Sequence, residues 1–260
     1  MRLLAIAAAV LLWTGVAHAA CVPGSVDQAG GAVKHARAAL KVVHIEEMQE
    51  DIPAVARGRI EQLKDNLHAF VAATMACEPP NVDVKALGSR LSTKGDAFVP
   101  GHFQGDGYTM DHFDGDGEGR SLTYAVTAIA SHPDMIGLTA TLGLECGEDT
   151  MLMLYQQHGD GWREVLTRRS PPYKDVSGGW MTFRYAVSPS DRNGNWFAAT
   201  SNIPPWCTSV WRSIRYDLSR PGKAPGRPDI FFRRSEGAYI GNDDVGELRA
   251  EASAFEILER

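Results

Sequence analysis

Residues 143–155 read GLECGEDTMLMLY. A polar, turn-forming segment stands between two strongly apolar runs. Upstream, Ile136, Leu138, Ala140, Leu142 and Leu144 alternate with Gly137, Thr139, Thr141 and Gly143. A period of two predicts a strand with one buried face. Downstream, residues 151–155 are apolar at every position, which predicts a strand covered on both faces. Between them, residues 145–149 (ECGED) are predicted to form a hairpin connection. The strand over 150–157 then turns at His158-Gly159-Asp160-Gly161 and returns over 162–167. The result is an antiparallel meander.

Working outward, residues 122–129 alternate and precede this meander. After Pro171-Pro172 and Gly178-Gly179 a second set of strands begins. Residues 181–187, 196–200 and 210–218 are predicted strands, with Asp191-Arg192-Asn193-Gly194 as a turn. Residues 230–233, 238–240 and 254–258 are shorter candidates. The two sets form a faint internal repeat about 60 residues apart. Ser131-His132-Pro133-Asp134 corresponds to Ser188-Pro189-Ser190-Asp191, Ala140-Thr141 to Ala199-Thr200, Cys146 to Cys207 and Tyr155 to Tyr216. Two four-stranded units are too few to close a propeller ring. Residues 188–196, SPSDRNGNW, resemble the Asp-box turns of sialidase-type propellers with a departure in spacing, and no function follows from the likeness. The predicted class is mainly β (α+β): an antiparallel β-sandwich or open barrel of about eight or more strands. An N-terminal helical segment packs on it.

The helical segment precedes the strands. Residues 22–45 are ambiguous, because Gly30-Gly31 interrupts a helical pattern that resumes at Ala32. A second helix is predicted from an Asp51 cap with Pro53 in its first turn. Ile52, Ala56, Ile60, Leu63, Leu67, Phe70, Val71 and Thr74 follow helical spacing as far as Cys77, and Pro79-Pro80 stops it. Arg57, Arg59, Glu61, Lys64 and Asp65 are assigned to the solvent face. Residues 82–91 suggest a short further helix. Residues 92–120 are a loop-rich connector with seven glycines between Gly95 and Gly119. The predicted organisation is therefore 1–19 signal, 20–91 helical, 92–120 connector and 121–260 β-rich.

The signal reading rests on Arg2, the apolar run over 3–16, and Ala17-His18-Ala19 as a cleavage pattern, which places the mature start at Ala20. No later run is long enough to span a bilayer, so no transmembrane anchor is expected after cleavage. Lipidation of Cys21 is the competing reading, but His18 stands where lipoprotein signals carry leucine. Export to the periplasm or the extracellular space turns the four cysteines into a disulfide question. The favoured pairing is Cys21–Cys77 with Cys146–Cys207, each closing a long loop worth about 4 kcal/mol on the chain-entropy model. The net charge of −6 argues against nucleic acid or anionic lipid as the main partner.

Three clusters could carry chemistry. Asp111, His112, Asp114 and Asp116 on the glycine-rich connector could converge on a divalent ion, calcium before others. An EF-hand starting at Asp114 would need glutamate at its twelfth position, where Ala125 stands. A solvated acidic loop is the competing reading. Glu145, Glu148 and Asp149 beside Cys146 could act as paired acids in hydrolysis if they faced a cleft; as turn residues they need no such role. Trp211 shares a strand face with Ser213, Arg215 and Asp217, so Trp211 and Arg215 are candidate ligand-binding residues on a polar face. There is no nucleophile elbow, zinc-protease helix, phosphate loop or dinucleotide fingerprint. The preferred expectation is a non-catalytic exported domain that binds a protein or glycan partner at the cell envelope. The alternative is an exported hydrolase using Asp, Glu and His residues, with or without a metal. A third is a structural subunit whose open sheet edge another chain completes.

Overall fold

The computed structural model describes residues 21–41, 51–95, 122–144, 147–206, 211–239, 247–250 and 255–258. Three helices, α1 (Ser25–Lys41), α2 (Ala54–Met75) and α3 (Val84–Lys94), precede two four-stranded antiparallel sheets. Sheet 1 runs β1 (Leu122–Ala128), β2 (Met135–Leu144), β3 (Gly147–His158), β4 (Gly161–Arg168), in that order. Sheet 2 repeats the pattern with β5 (Met181–Val187), β6 (Ala198–Ile203), β7 (Trp211–Pro221) and β8 (Pro228–Tyr239). A hairpin of β9 (Glu247–Ala250) and β10 (Phe255–Leu258) lies against β5 and β6. The protein is mainly β, a sandwich with helices on one outer face, and neither sheet closes into a barrel.

The alternation of β2 decides this layering. Its even-numbered side chains from Ile136 to Leu144 join Leu63, Leu67 and Phe70 of α2 in one core. Its odd-numbered side chains turn towards sheet 2. The unbroken apolar run of β3 divides in the same way. Met151, Met153 and Tyr155 enter the helix-side core, while Leu152 and Leu154 pack against Phe183, Val187 and Ala198 of sheet 2. A strand buried on both faces has no solvent side to mark with polar residues.

The two meanders place the repeated residues on equivalent strands. Ala140-Thr141 lies on β2 and Ala199-Thr200 on β6; Tyr155 lies on β3 and Tyr216 on β7. The equivalent turns also meet. The Ser131 hydroxyl donates to the Val187 carbonyl at 2.9 Å, and His132 Nε2 donates to the Ser188 carbonyl at 2.8 Å.

Several boundaries differ from the sequence reading. The connection between β2 and β3 is two residues long rather than five, because Leu144 pairs with Gly147, so Glu148 and Asp149 belong to β3. The cap of α2 is Pro53, not Asp51, which instead bridges to Asp175. The two short candidates after residue 229 are one long strand, β8.

Helix α1 also runs unbroken through Gly30-Gly31. A Cβ on Gly30 would lie 2.4 Å from the Lys94 carbonyl oxygen at the end of α3, whereas one on Gly31 meets nothing within 4 Å. The first glycine is therefore a packing requirement and the second is not. Gly31→Ala should stabilise the fold by about 1 kcal/mol through helix propensity. Gly30→Ala should cost about 1–3 kcal/mol through overpacking. Denaturant midpoints of the two variants should move in opposite directions; a shift of the same sign would refute the packing argument.

Cys21 and Cys77 form a disulfide with Cα atoms 4.6 Å apart, tying the start of α1 to the end of α2. Cys146 and Cys207 lie outside the described residues, but their chain neighbours meet. A Cβ on Gly147 would stand 2.9 Å from Cβ of Pro205. Peptide mapping of the oxidised protein should recover residues 146 and 207 in one linked pair, and two free thiols there would contradict the pairing.

Candidate ligand cleft

Sheet 2 covers only part of the sheet 1 face turned towards it. The uncovered part is a cleft of about 620 Å³, within the range of small-ligand sites. Its floor is the odd-numbered face of β2 with the neighbouring strands: Thr127 of β1, Thr139 and Thr141 of β2, and Thr150 of β3. Strand register puts Thr141 opposite Thr150, and their hydroxyls are 2.9 Å apart. Strand β5 forms the wall with Phe183 and Tyr185. Thr182 on that strand has φ 48° beside a register shift between Met181 and Arg184. A β-branched residue rarely adopts that conformation, and strain of this kind is concentrated at functional sites.

Tyr185 reaches across the cleft. Its hydroxyl sits over Gly137, where a Cβ would be 2.1 Å away, so only glycine allows the approach. That hydroxyl is buried and makes no well-formed hydrogen bond among the described residues. Burial raises its pKa above the ordinary 10.0, and a marginal hydrogen bond with the Thr127 hydroxyl, outside full hydrogen-bond geometry, offsets part of the rise. An unpaired buried hydroxyl costs about 1–3 kcal/mol. Arg184 and Glu148 add one charge of each sign to the lining.

The expected site residues fare differently. Glu148 lines the cleft, but Asp149, its neighbour on β3, faces the opposite way and is buried beneath α2. The two are thus not a pair of acids, because consecutive strand residues point to opposite faces. Glu145 lies outside the described residues, as do Asp111, His112, Asp114 and Asp116. Trp211 belongs to β7 opposite Tyr239, and its side chain is not among those described. Arg215 is half-buried and donates to the Ser177 carbonyl at 3.3 Å. Its strand face is polar yet turned inwards. Asp217 on it is buried and accepts from Arg168 of β4 and, at 2.8 Å, from Arg233 of β8.

Two further polar clusters lie on the helix side. Lys64 is 1% exposed, against its assignment to the solvent face. It sits four residues after Ile60 and three before Leu67, spacings that place it on the apolar stripe. Its ammonium contacts Glu61 at 2.7 Å, Asp149 at 3.5 Å and the Ser170 hydroxyl at 2.9 Å. Asp149 in turn accepts from the Ser170 hydroxyl at 2.6 Å, the Tyr173 hydroxyl at 3.1 Å and the Trp180 amide at 3.1 Å. The void beside this cluster admits no water, so it holds the helix to the sheet and is closed to substrate.

His68 of α2 meets Glu164 of β4 at 2.7 Å; the histidine side chain is 40% exposed. Its hydrogen bond with Glu164 raises the His68 pKa above 6.5, with burial opposing. Burial pushes Glu164 up, but bonds from His68, Thr167 and Tyr155 hold it below 4.5 overall. The stability share of His68 is complete below pH 6.5 and is lost as pH rises through its raised folded value. The share of Glu164 is present above pH 4.5 and is lost as pH falls through its lowered folded value. The stability difference between wild type and His68→Gln should therefore be greatest between those limits and shrink as pH rises through the raised folded value of His68. Solvent screening keeps it below about 1 kcal/mol. Urea denaturation across that range measures it, and a difference growing with pH would refute the assignment.

No family model, curated protein or solved structure matches this chain. Among the described residues no group of three or more His, Cys, Asp or Glu is placed to hold a metal ion, and no helix is long and apolar enough to cross a membrane.

Proposed function

We propose that the chain is an exported, non-catalytic domain of the cell envelope that binds a protein or glycan partner in the cleft between its sheets. Export is supported by the signal pattern over residues 1–19 and by the intramolecular Cys21–Cys77 disulfide. The observation that carries the binding role is the Tyr185 hydroxyl, buried at the cleft with no well-formed hydrogen bond among the described residues beyond a marginal one to Thr127. A ligand oxygen or amide would complete it. The separation of Glu148 from Asp149 removes one acid pair from the hydrolase alternative, whose other candidates, Glu145 and the Asp and His residues of the connector, lie outside the described residues.

A bulky residue on the cleft floor tests the role. Thr139→Trp should leave far-ultraviolet circular dichroism unchanged and abolish cosedimentation of the mature protein with cell-envelope preparations. Undiminished cosedimentation of that variant, or none by the wild type, would sink the proposal.

A further inference from the structure

Resting on that reading of the cleft, we infer that its ligand is a short neutral saccharide, bound by the threonine floor with its ring against Tyr185 and Phe183. Four threonine hydroxyls, from Thr127, Thr139, Thr141 and Thr150, line one continuous surface on three adjacent strands. Neighbouring strands lie about 4.8 Å apart, and same-face residues along a strand about 6.8 Å apart. The cross-strand interval is close to the rise of one sugar ring along a chain, so threonines on adjacent strands can meet successive rings. Each threonine hydroxyl both donates and accepts, as a sugar hydroxyl does. A peptide would instead take main-chain bonds from the edge strands β1 and β5 that border the cleft, whereas the threonines offer side-chain hydroxyls on the sheet face.

Charge and polarity narrow the class further. The lining carries one charge of each sign, Arg184 and Glu148, so it offers neither the cluster of cations that a phosphate needs nor the carboxylates that a polycation needs. The hydroxyl floor is too polar for a lipid chain, whose burial would leave those groups unpaired. The threonine methyls and the two aromatic rings give the apolar C–H face of a sugar a surface to cover. The Tyr185 hydroxyl, with no well-formed hydrogen bond among the described residues, supplies one directed hydrogen bond at the inner end beside Thr127. Phe183 is fixed for this role by stacking on Trp180, with ring centroids 5.8 Å apart and planes 7° apart.

The test is calorimetric titration of the oxidised mature protein with maltotriose, cellotriose and chitotriose, repeated on Tyr185→Phe and Thr141→Val. Each variant removes a hydroxyl and keeps the side-chain shape. At least one trisaccharide should bind the wild type, and each variant should weaken it about tenfold, the effect of one lost hydrogen bond. If none binds, or if both variants bind as tightly as the wild type, the saccharide inference is overturned. A peptide library screened on the same three proteins separates that failure from the broader one. A peptide whose affinity falls in both variants would overturn the saccharide while leaving the cleft as the binding site. If no ligand of either kind responds to the variants, the proposed function falls as well.

Discussion

Asp217→Ala should lower the stability of this protein by about 3–5 kcal/mol, the usual consequence of stranding a buried charge. Asp217 lies on the inner face of sheet 2 and receives Arg168 from sheet 1. The Arg168 side chain is 5% exposed, and its guanidinium lies 5.0 Å over the Trp180 ring. Burial already lowers its pKa, with Asp217 opposing that effect and Arg233 adding to it. Without the carboxylate, a desolvated cation remains beside a second one, since Arg233 keeps its place on β8. Replacing the buried pair together, Arg168→Met with Asp217→Leu, should recover most of the loss, because apolar side chains need no partner. Chemical denaturation of the single and double variants decides the matter. A double variant as unstable as the single would mean that shape, rather than charge, holds the sheets together.

Asp149→Ala should have the next largest effect, about 3 kcal/mol, at the lower end of the range for a broken buried pair. The moderation comes from Glu61, which stays 2.7 Å from the Lys64 ammonium and reaches solvent. The loss has a second part. The Ser170 and Tyr173 hydroxyls and the Trp180 amide all give up an acceptor at once. Lys64→Met should cost less than Asp149→Ala, since Asp149 would retain those three donors. The effect should fall on the docking of α2 against sheet 1. Amide hydrogen exchange would then quicken across residues 54–75 while β6 and β7 keep their protection. A uniform loss of protection over both sheets would contradict this local role.

Much of the fold could be read from particular residues. The alternation from Ile136 to Leu144 named the buried face of β2 correctly, and the unbroken run at 151–155 announced burial on both sides. The spacing from Ile60 to Thr74 found the apolar stripe of α2, all of which is buried. The charge of Lys64 points to solvent, whereas its spacing from Ile60 and Leu67 puts it on the stripe, and position prevails because Asp149, Glu61 and Ser170 receive the ammonium. Local preference places Asp149 in a turn, because aspartate favours turns. Its place in β3 depends on the register with Leu142, which no local preference encodes.

The cleft was less legible. The sequence put Thr139 and Thr141 on the face of β2 away from the helices, but a polar strand face ordinarily means water. Whether a second sheet covers such a face fully, partly or not at all depends on how two twisted surfaces meet. Tyr185 joined the threonines through the close approach that Gly137 allows across 48 residues of chain.

The amino-acid order by itself determined the local choices: which segments become strands, which side of each is apolar, and where glycine, proline and asparagine turn the chain. These follow from backbone sterics and side-chain periodicity, which act over a few residues. Only the tertiary structure decided which polar residues are enclosed, which carboxylate receives which cation, and where a gap remains between the sheets. Those outcomes belong to surfaces brought together from distant parts of the chain, where the cost of desolvating a charge or hydroxyl is set by what the other surface offers it.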